Sequence, residues 1–141
     1  MMLPDVNVLI GAFRKDSSHH AVCKRWLDGT VAGNAAFGLS RLVLCAVVRI
    51  TTGNAFASRS GLDEAFGFCR DLVEQPHARL IEPGERHWDI FENICIETGT
   101  TGPRLTDAWF AALAIENGCE WVTLDRDFAR FPLLRWTVPA A

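Results

Sequence analysis

The stretch Met1-Met2-Leu3-Pro4-Asp5-Val6-Asn7-Val8-Leu9-Ile10-Gly11-Ala12-Phe13 decides how the chain folds. Residues 1–4 are apolar and read as the end of a first strand, and residues 8–13 continue as a short apolar helix. Asp5 stands between them, interrupting the apolar run at a strand end, where a bare carboxylate is costly without a partner. Asn7 either turns back to hold Asp5 or a metal-bound water, or caps the helix. A strand running at once into a helix is the first half of a βαβ unit.

The same alternation runs through the rest of the chain. Residues 15–20 form a polar turn, in which Ser17 or Ser18 caps a helix with Val22, Trp26 and Leu27 at helical spacing. Residues 35–39 read as a small strand. Ser40 caps the next helix, which is apolar almost all round over residues 42–50 and is therefore expected to be buried; Gly53 ends it. After a loop at 54–61, residues 62–73 are amphipathic and stop before Pro76. Residues 78–81 form a strand, and Pro83-Gly84 turns into a helix over 85–97. A loop at 99–103 precedes a helix over 106–117, ended by Gly118. A strand at 121–124, one helical turn at 126–131 and a last strand at 135–138 complete the chain. Strands separated by helices of ten or more residues require right-handed crossovers. The expected class is α/β, with a central, mostly parallel sheet of four to five short strands. In such sheets ligands bind beyond the carboxyl ends of the strands.

Composition narrows the functions. With 141 residues, 49% apolar and 22% charged, the chain suits one domain over residues 1–141, with enough core to fold without disulfide or metal staples. The 17 acidic residues outnumber the 14 basic ones, giving a formal charge of -3. That excludes binding nucleic acid through the overall field, so any such contact needs a local patch, a metal or a partner chain. Twelve of the basic residues are Arg, which favours directed contacts to phosphate or carboxylate. The five cysteines form no C-x-x-C pair, which excludes a zinc knuckle or a thioredoxin motif. They read as buried, reduced thiols and point to a reducing, cytoplasmic compartment. Asp5 breaks the N-terminal apolar run, so no signal peptide is expected, and no stretch suits a membrane span of ~20 apolar residues.

Four Asp residues fall at the predicted ligand edge. Asp5 follows the first strand, Asp125 and Asp127 follow the strand at 121–124, and Asp107 opens the helix after the second loop. Taken singly, Asp107 suits a helix dipole and Asp127 a turn cap. Gathered together, four carboxylates repel and raise one another's pKa, and a divalent cation removes that cost. Mg²⁺ usually takes one or two carboxylates and keeps waters for substrate phosphate. Two such ions would stabilise both the attacking and the leaving oxygen of a phosphodiester cleavage.

These residues carry a family resemblance. Leu3-Pro4-Asp5-Val6-Asn7-Val8-Leu9-Ile10 resembles the opening motif of PIN-domain proteins. Thr106-Asp107-Ala108, with Ala111-Ala112-Leu113-Ala114, resembles their third acidic motif, and Val122-Thr123-Leu124-Asp125-Arg126-Asp127-Phe128 their last. The group most resembled is the VapC-type toxins of bacterial toxin–antitoxin pairs. His19-His20, the run from Gly84 to Trp88 and the ending Phe131-Pro132-Leu133-Leu134-Arg135-Trp136 agree with it, so the resemblance spans the chain. It implies a PIN-like α/β/α sandwich and an endoribonuclease dependent on Mg²⁺ or Mn²⁺. It also implies a homodimer held inactive by a VapB-type antitoxin. Carried over by position, Asp5 and Asp107 would be the main metal ligands, with Asp125 and Asp127 completing the catalytic acidic pocket directly or through water. Thr123 would support Asp5 or the final acidic pair. Apart from the resemblance, Arg104 just before the Asp107 motif is a candidate RNA contact or, as the default, a solvated loop residue.

One departure stands out. The helix after Ser40 usually carries a Glu in this family, whereas here Ala46 occupies that position and the helix contains no acid. A second metal is thereby put in doubt, and the alternative is a weakly active or non-catalytic PIN-fold protein that binds RNA or an antitoxin. A phosphoryl-transfer enzyme with an Asp5 nucleophile is disfavoured. A haloacid-dehalogenase-like phosphatase needs a second Asp where Asn7 stands, and a receiver domain needs a late Lys, whereas Lys15 and Lys24 both lie early. His19 and His20 belong to a polar turn or touch RNA or a partner. Trp88, Trp109 and Trp121 either stack bases or pack in the core or an interface.

Overall fold

The chain is described over residues 1–140 by a computed structural model. Five parallel strands stand in the order β3-β2-β1-β4-β5. They are β1 (Met2–Pro4), β2 (Phe37–Leu39), β3 (Ala78–Leu80), β4 (Glu120–Val122) and β5 (Trp136–Thr137). Six helices flank this sheet in an α/β/α arrangement: α1 (Val6–Phe13), α2 (His20–Ala32), α3 (Arg41–Thr51), α4 (Leu62–Val73), α5 (His87–Thr98) and α6 (Leu105–Glu116). Single 3₁₀ turns at Gly102–Arg104 and Arg126–Arg130 precede α6 and follow β4. The chain winds from β1 outward to β2 and β3, then returns to place β4 on the other side of β1. The reversal of strand order falls between β1 and β4, where an open α/β sheet leaves a crevice at its carboxyl edge.

The register fixes what meets there. Leu3 pairs with Trp121 and Pro4 with Val122, and the Asp5 N–H donates to the Val122 carbonyl at 2.9 Å. Asp5 and Thr123 therefore leave neighbouring strands side by side. Beneath them the core is dense. Leu3, Phe37, Trp121 and Val122 are at most 1% exposed, and Trp121 lies between Phe110 and Phe128 at centroid distances of 5.2 and 5.6 Å. In α6, Ala108, Ala111, Ala112 and Ala114 are fully buried, small side chains that let the helix pack closely. Gly11 does the same between α1 and α2, since a Cβ there would come within 2.7 Å of Cys23 Sγ.

Several boundaries differ from those read in the sequence, for visible reasons. Helix α1 starts at Val6, two residues early, because Asp5 is its cap: its Oδ1 accepts the Val6 N–H at 2.6 Å. Neither Ser17 nor Ser18 caps α2. The capping position falls to His19, and Ser17 Oγ instead accepts the His19 N–H at 3.2 Å. Helix α5 begins at His87, because the Glu116 carboxylate accepts N–H groups of Gly84 and Arg86 at 2.7 and 3.0 Å and holds them in a turn. Strands β2, β3, β4 and β5 are each shorter than expected, and β4 starts one residue early, at Glu120.

The largest correction concerns α3. Ser40 caps it as expected, its Oγ accepting the Val43 N–H at 3.4 Å, but the helix is not buried all round. Val43, Leu44, Val47 and Val48 face the core, while Leu42, Cys45 and Arg49 are exposed along the opposite edge. The thiol reading changes with it: Cys23, Cys69 and Cys119 are buried, Cys95 is half-buried and Cys45 is exposed, all of them free. Among the described residues no helix is long and apolar enough to cross a membrane.

Candidate active site

The site is assembled from the ends of β1 and β4 and the first turn of α6. Asp5 is 7% exposed and its carboxylate accepts three hydrogen bonds. Val6 N–H meets Oδ1 at 2.6 Å, the Thr123 hydroxyl donates to Oδ2 at 2.6 Å, and Asn7 Nδ2 donates to Oδ2 at 3.2 Å. Thr123, fully buried, also accepts the Asp125 N–H at 3.0 Å and a bond from Asn7 Nδ2 at 3.2 Å. Asn7 closes the network by accepting the Leu124 N–H on its Oδ1 at 3.0 Å. Thr123 thus holds Asp5 and the backbone of Asp125 at once, and Asn7 staples the start of α1 to the end of β4.

The remaining acids are placed less firmly. Asp125 caps the Arg126–Arg130 turn, its Oδ1 accepting the Asp127 N–H at 2.9 Å. Phe128 anchors that turn in the core at 2% exposure. Asp107 lies 3.4 Å from Arg130, whose guanidinium stacks over Phe131 at 4.3 Å and also donates to the Asp127 carbonyl at 2.9 Å. Asp127 points elsewhere and pairs with Arg104 at 3.3 Å, both side chains well exposed.

Asp5, Asn7, Asp107 and Asp125 line one cleft of about 540 Å³, closed on its other side by Leu42, Cys45, Ala46, Arg49 and Ile50 of α3. Thr123 lies behind Asp5, and neither Asp127 nor Arg104 lines the cleft. Burial pushes the Asp5 carboxyl up to about 6. The Thr123 and Val6 hydrogen bonds oppose that shift, and the charges of Asp107 and Asp125 reinforce it. The protein therefore holds a buried carboxylate among like charges, with more negative charge than its own donors balance.

That surplus fits a hard divalent cation. The carboxylate donors are all oxygens, and Mg²⁺ takes one or two of them while keeping its waters. Among the described residues no group of three or more His, Cys, Asp or Glu side chains forms a ready-made metal cage. Asp5 with one or two of its acidic neighbours and bound water is the arrangement the cleft suits. The α3 wall, with Ala46 at its centre, adds no acid.

Two participants were missed in the sequence. Arg130 holds Asp107, and its only signal was its place three residues after Asp127. Arg49 lines the cleft from α3, and it could have been found by noting that residues 42, 45, 46, 49 and 50 share one helical face. Of the three tryptophans weighed as stacking platforms, Trp121 is fully buried core. Trp109 is half-buried against His87 at 4.1 Å, and Trp88 is 61% exposed.

Comparison with known proteins gives this arrangement its class. The PIN domain model matches residues 2–134, and the chain belongs to the PIN-domain family. Relatives within that family include ribonucleases named VapC. Ribonuclease VapC25 of Mycobacterium tuberculosis is 37% identical over 140 residues, 99% of either chain. Ribonuclease VapC37 of the same organism is 36% identical over 142 residues, 100% of this chain and 99% of its own. Among solved structures, VapBC2 from Rickettsia felis, bound to a DNA fragment from its promoter, superimposes with a TM-score of 0.73. It covers 97% of both chains at 14% identity. Mycobacterium tuberculosis VapC20, a toxin that cleaves the sarcin–ricin loop, superimposes with a TM-score of 0.68, covering 96% of this chain and 99% of its own at 14% identity. At these identities the structural matches speak for the fold.

Proposed function

We propose that the chain is a Mg²⁺- or Mn²⁺-dependent endoribonuclease toxin, working in the cytoplasm and restrained by a VapB-type antitoxin. The observation that carries this reading is the buried Asp5, fixed by Thr123, Asn7 and Val6 and gathered with Asp107 and Asp125 in one cleft. The VapC ribonucleases at 36–37% identity supply the reaction class, and the VapBC complexes that share the fold suggest the partner.

In this reading Asp5 and Asp107 are the main metal ligands, with Asp125 completing the set directly or through water. Thr123 and Asn7 are positioning residues that keep Asp5 ionised and in one rotamer. When bound, Mg²⁺ or Mn²⁺ neutralises the carboxylates, lowers the pKa of a bound water and polarises a phosphate oxygen. Arg130 steadies Asp107 from outside the cleft, and Asp127 with Arg104 forms a more exposed outer pair able to meet the RNA backbone. A homodimer is the assembly we expect.

One observation favours a binding-only role, the acid-free α3 wall. The intact Asp5–Thr123–Asn7 network weighs against it, since a protein that only binds RNA gains nothing from burying that charge. The test is cleavage of a mixed RNA pool in Mg²⁺ or Mn²⁺ by wild type and Asp107→Ala. The proposal expects metal-dependent cleavage by the wild type and its loss in the variant. Equal cleavage by both, or none by either, counts against it.

A further inference from the structure

Arg49 is the sole basic side chain among the described residues lining the cleft, and it makes no ion pair and no side-chain hydrogen bond there. Its situation differs from that of the arginines paired with the acids, and Arg126, exposed between Asp125 and Asp127, does not line the cleft. Arg130 is tied to Asp107, and Arg104 to Asp127. Arg49 rises from the opposite wall, on the face of α3 that presents Leu42, Cys45, Ala46 and Ile50. It reaches none of Asp5, Asp107 or Asp125, so the cleft separates a free cation from a cluster of carboxylates.

That geometry has a chemical consequence. A phosphodiester entering the cleft meets carboxylates on one side, and they repel it unless a cation intervenes. On the other side it meets a guanidinium with all its donors free and an apolar collar that weakens solvent screening. A planar guanidinium matches two phosphate oxygens at once. Cationic clamps of this kind stabilise charge that develops on a phosphoryl group. The acid-free α3 wall then reads as an anion-facing wall.

We propose that Arg49 contacts the phosphate of the RNA linkage held in the cleft, gripping its non-bridging oxygens from the α3 side. It would serve as the protein's own cation opposite the carboxylates. This inference rests on the ribonuclease reading of the same cleft, and the experiment separates the two.

Binding of a fluorescein-labelled single-stranded RNA of mixed sequence is measured in Mn²⁺ at several salt concentrations. An Asp107→Asn background limits cleavage and carries in turn Arg49, Arg49→Ala, Arg49→Lys or the exposed control Arg70→Ala. Cleavage and Mn²⁺ affinity are measured for the same Arg49 and Arg70 substitutions in the otherwise unchanged chain. We expect Arg49→Ala to weaken RNA binding about ten- to a hundredfold, the size of a charge-assisted hydrogen bond. The slope of log affinity against log salt should fall by about 0.7, one phosphate on a single strand. Arg49→Lys should recover the slope and only part of the affinity, because it keeps the charge and loses the fork. Mn²⁺ affinity should not weaken, and Arg70→Ala should match the unsubstituted protein. Unchanged RNA affinity and salt slope in Arg49→Ala overturn the Arg49 contact, and persisting wild-type cleavage then leaves the ribonuclease reading standing. If the wild type cleaves nothing while Arg49→Ala still loses affinity and slope, the enzymatic reading falls and the phosphate contact stands. Failure of the Arg49-containing protein to bind RNA at all overturns the Arg49 contact, and overturns the ribonuclease reading too if the unchanged chain cleaves nothing.

Discussion

The two walls of the cleft are built on different physical terms. On the β1–β4 side, Asp5 is nearly buried, its oxygens are held by a hydroxyl, an amide and a backbone N–H, and its neighbours are further acids. On the α3 side the wall is apolar, and among the described residues its one charged group, Arg49, is exposed and has no partner. The first wall ties its carboxylate by hydrogen bonds before any ligand arrives; the second leaves its charged group without a partner among the described residues. On the proposed reading, position and charge for chemistry belong to the β1–β4 wall, and the α3 wall contacts what enters.

Substitutions on the two walls should break this contrast in graded fashion. The largest effect belongs to Asp5→Ala, which should reduce metal-dependent cleavage by roughly a thousandfold or more, measured as kcat/KM on a defined RNA. Next is Thr123→Val, which keeps the shape and removes the hydroxyl. It should cost about ten- to a hundredfold in Mn²⁺ affinity, as loss of an outer hydrogen-bond partner does, and should raise the Asp5 pKa further. Calorimetric titration of Mn²⁺ would read the first effect and NMR the second.

A third prediction concerns pH. The Asp5 carboxyl should titrate near 6 in metal-free protein, against an ordinary value of 3.8, as followed by its side-chain carbon resonance. Because the folded-state value is the higher one, ionising Asp5 costs stability. Its contribution is full below about pH 4 and is lost as pH rises through about 6, a change of about 3 kcal/mol. Added Mn²⁺ should reverse that loss, and its affinity should decline below pH 6 as the proton competes. The thermal midpoint against pH, with and without Mn²⁺, checks both. Smallest of all should be Asp127→Ala. Its exposed pairing with Arg104 is worth little, so kcat/KM should change by about twofold or less.

Much of this was legible in the sequence. Asp5 showed itself because an acid inside an apolar strand end demands a reason, and the strand–helix alternation gave the parallel sheet with its ligand edge. Asn7 and Thr123 were suspected from their places beside the acids, yet their joint role depends on the β1–β4 register, which pairs residues more than a hundred positions apart. Helix α3 misled because apolar content alone does not say which face is covered: Leu42 and Cys45 are as apolar as Val43 and Val47 but look into the cleft. The partners of Arg104 and Arg130 were beyond reach for a similar reason, since each pair joins the α6 start to the turn after β4.

On the proposed reading the β1–β4 wall is a metal site organised by Asp5. The most direct measurement is a Mn²⁺ titration by electron paramagnetic resonance at pH 7.5, comparing wild type with Asp5→Ala. A bound ion is expected in the wild type and its loss in the variant; equal binding by both proteins would remove Asp5 from the metal site.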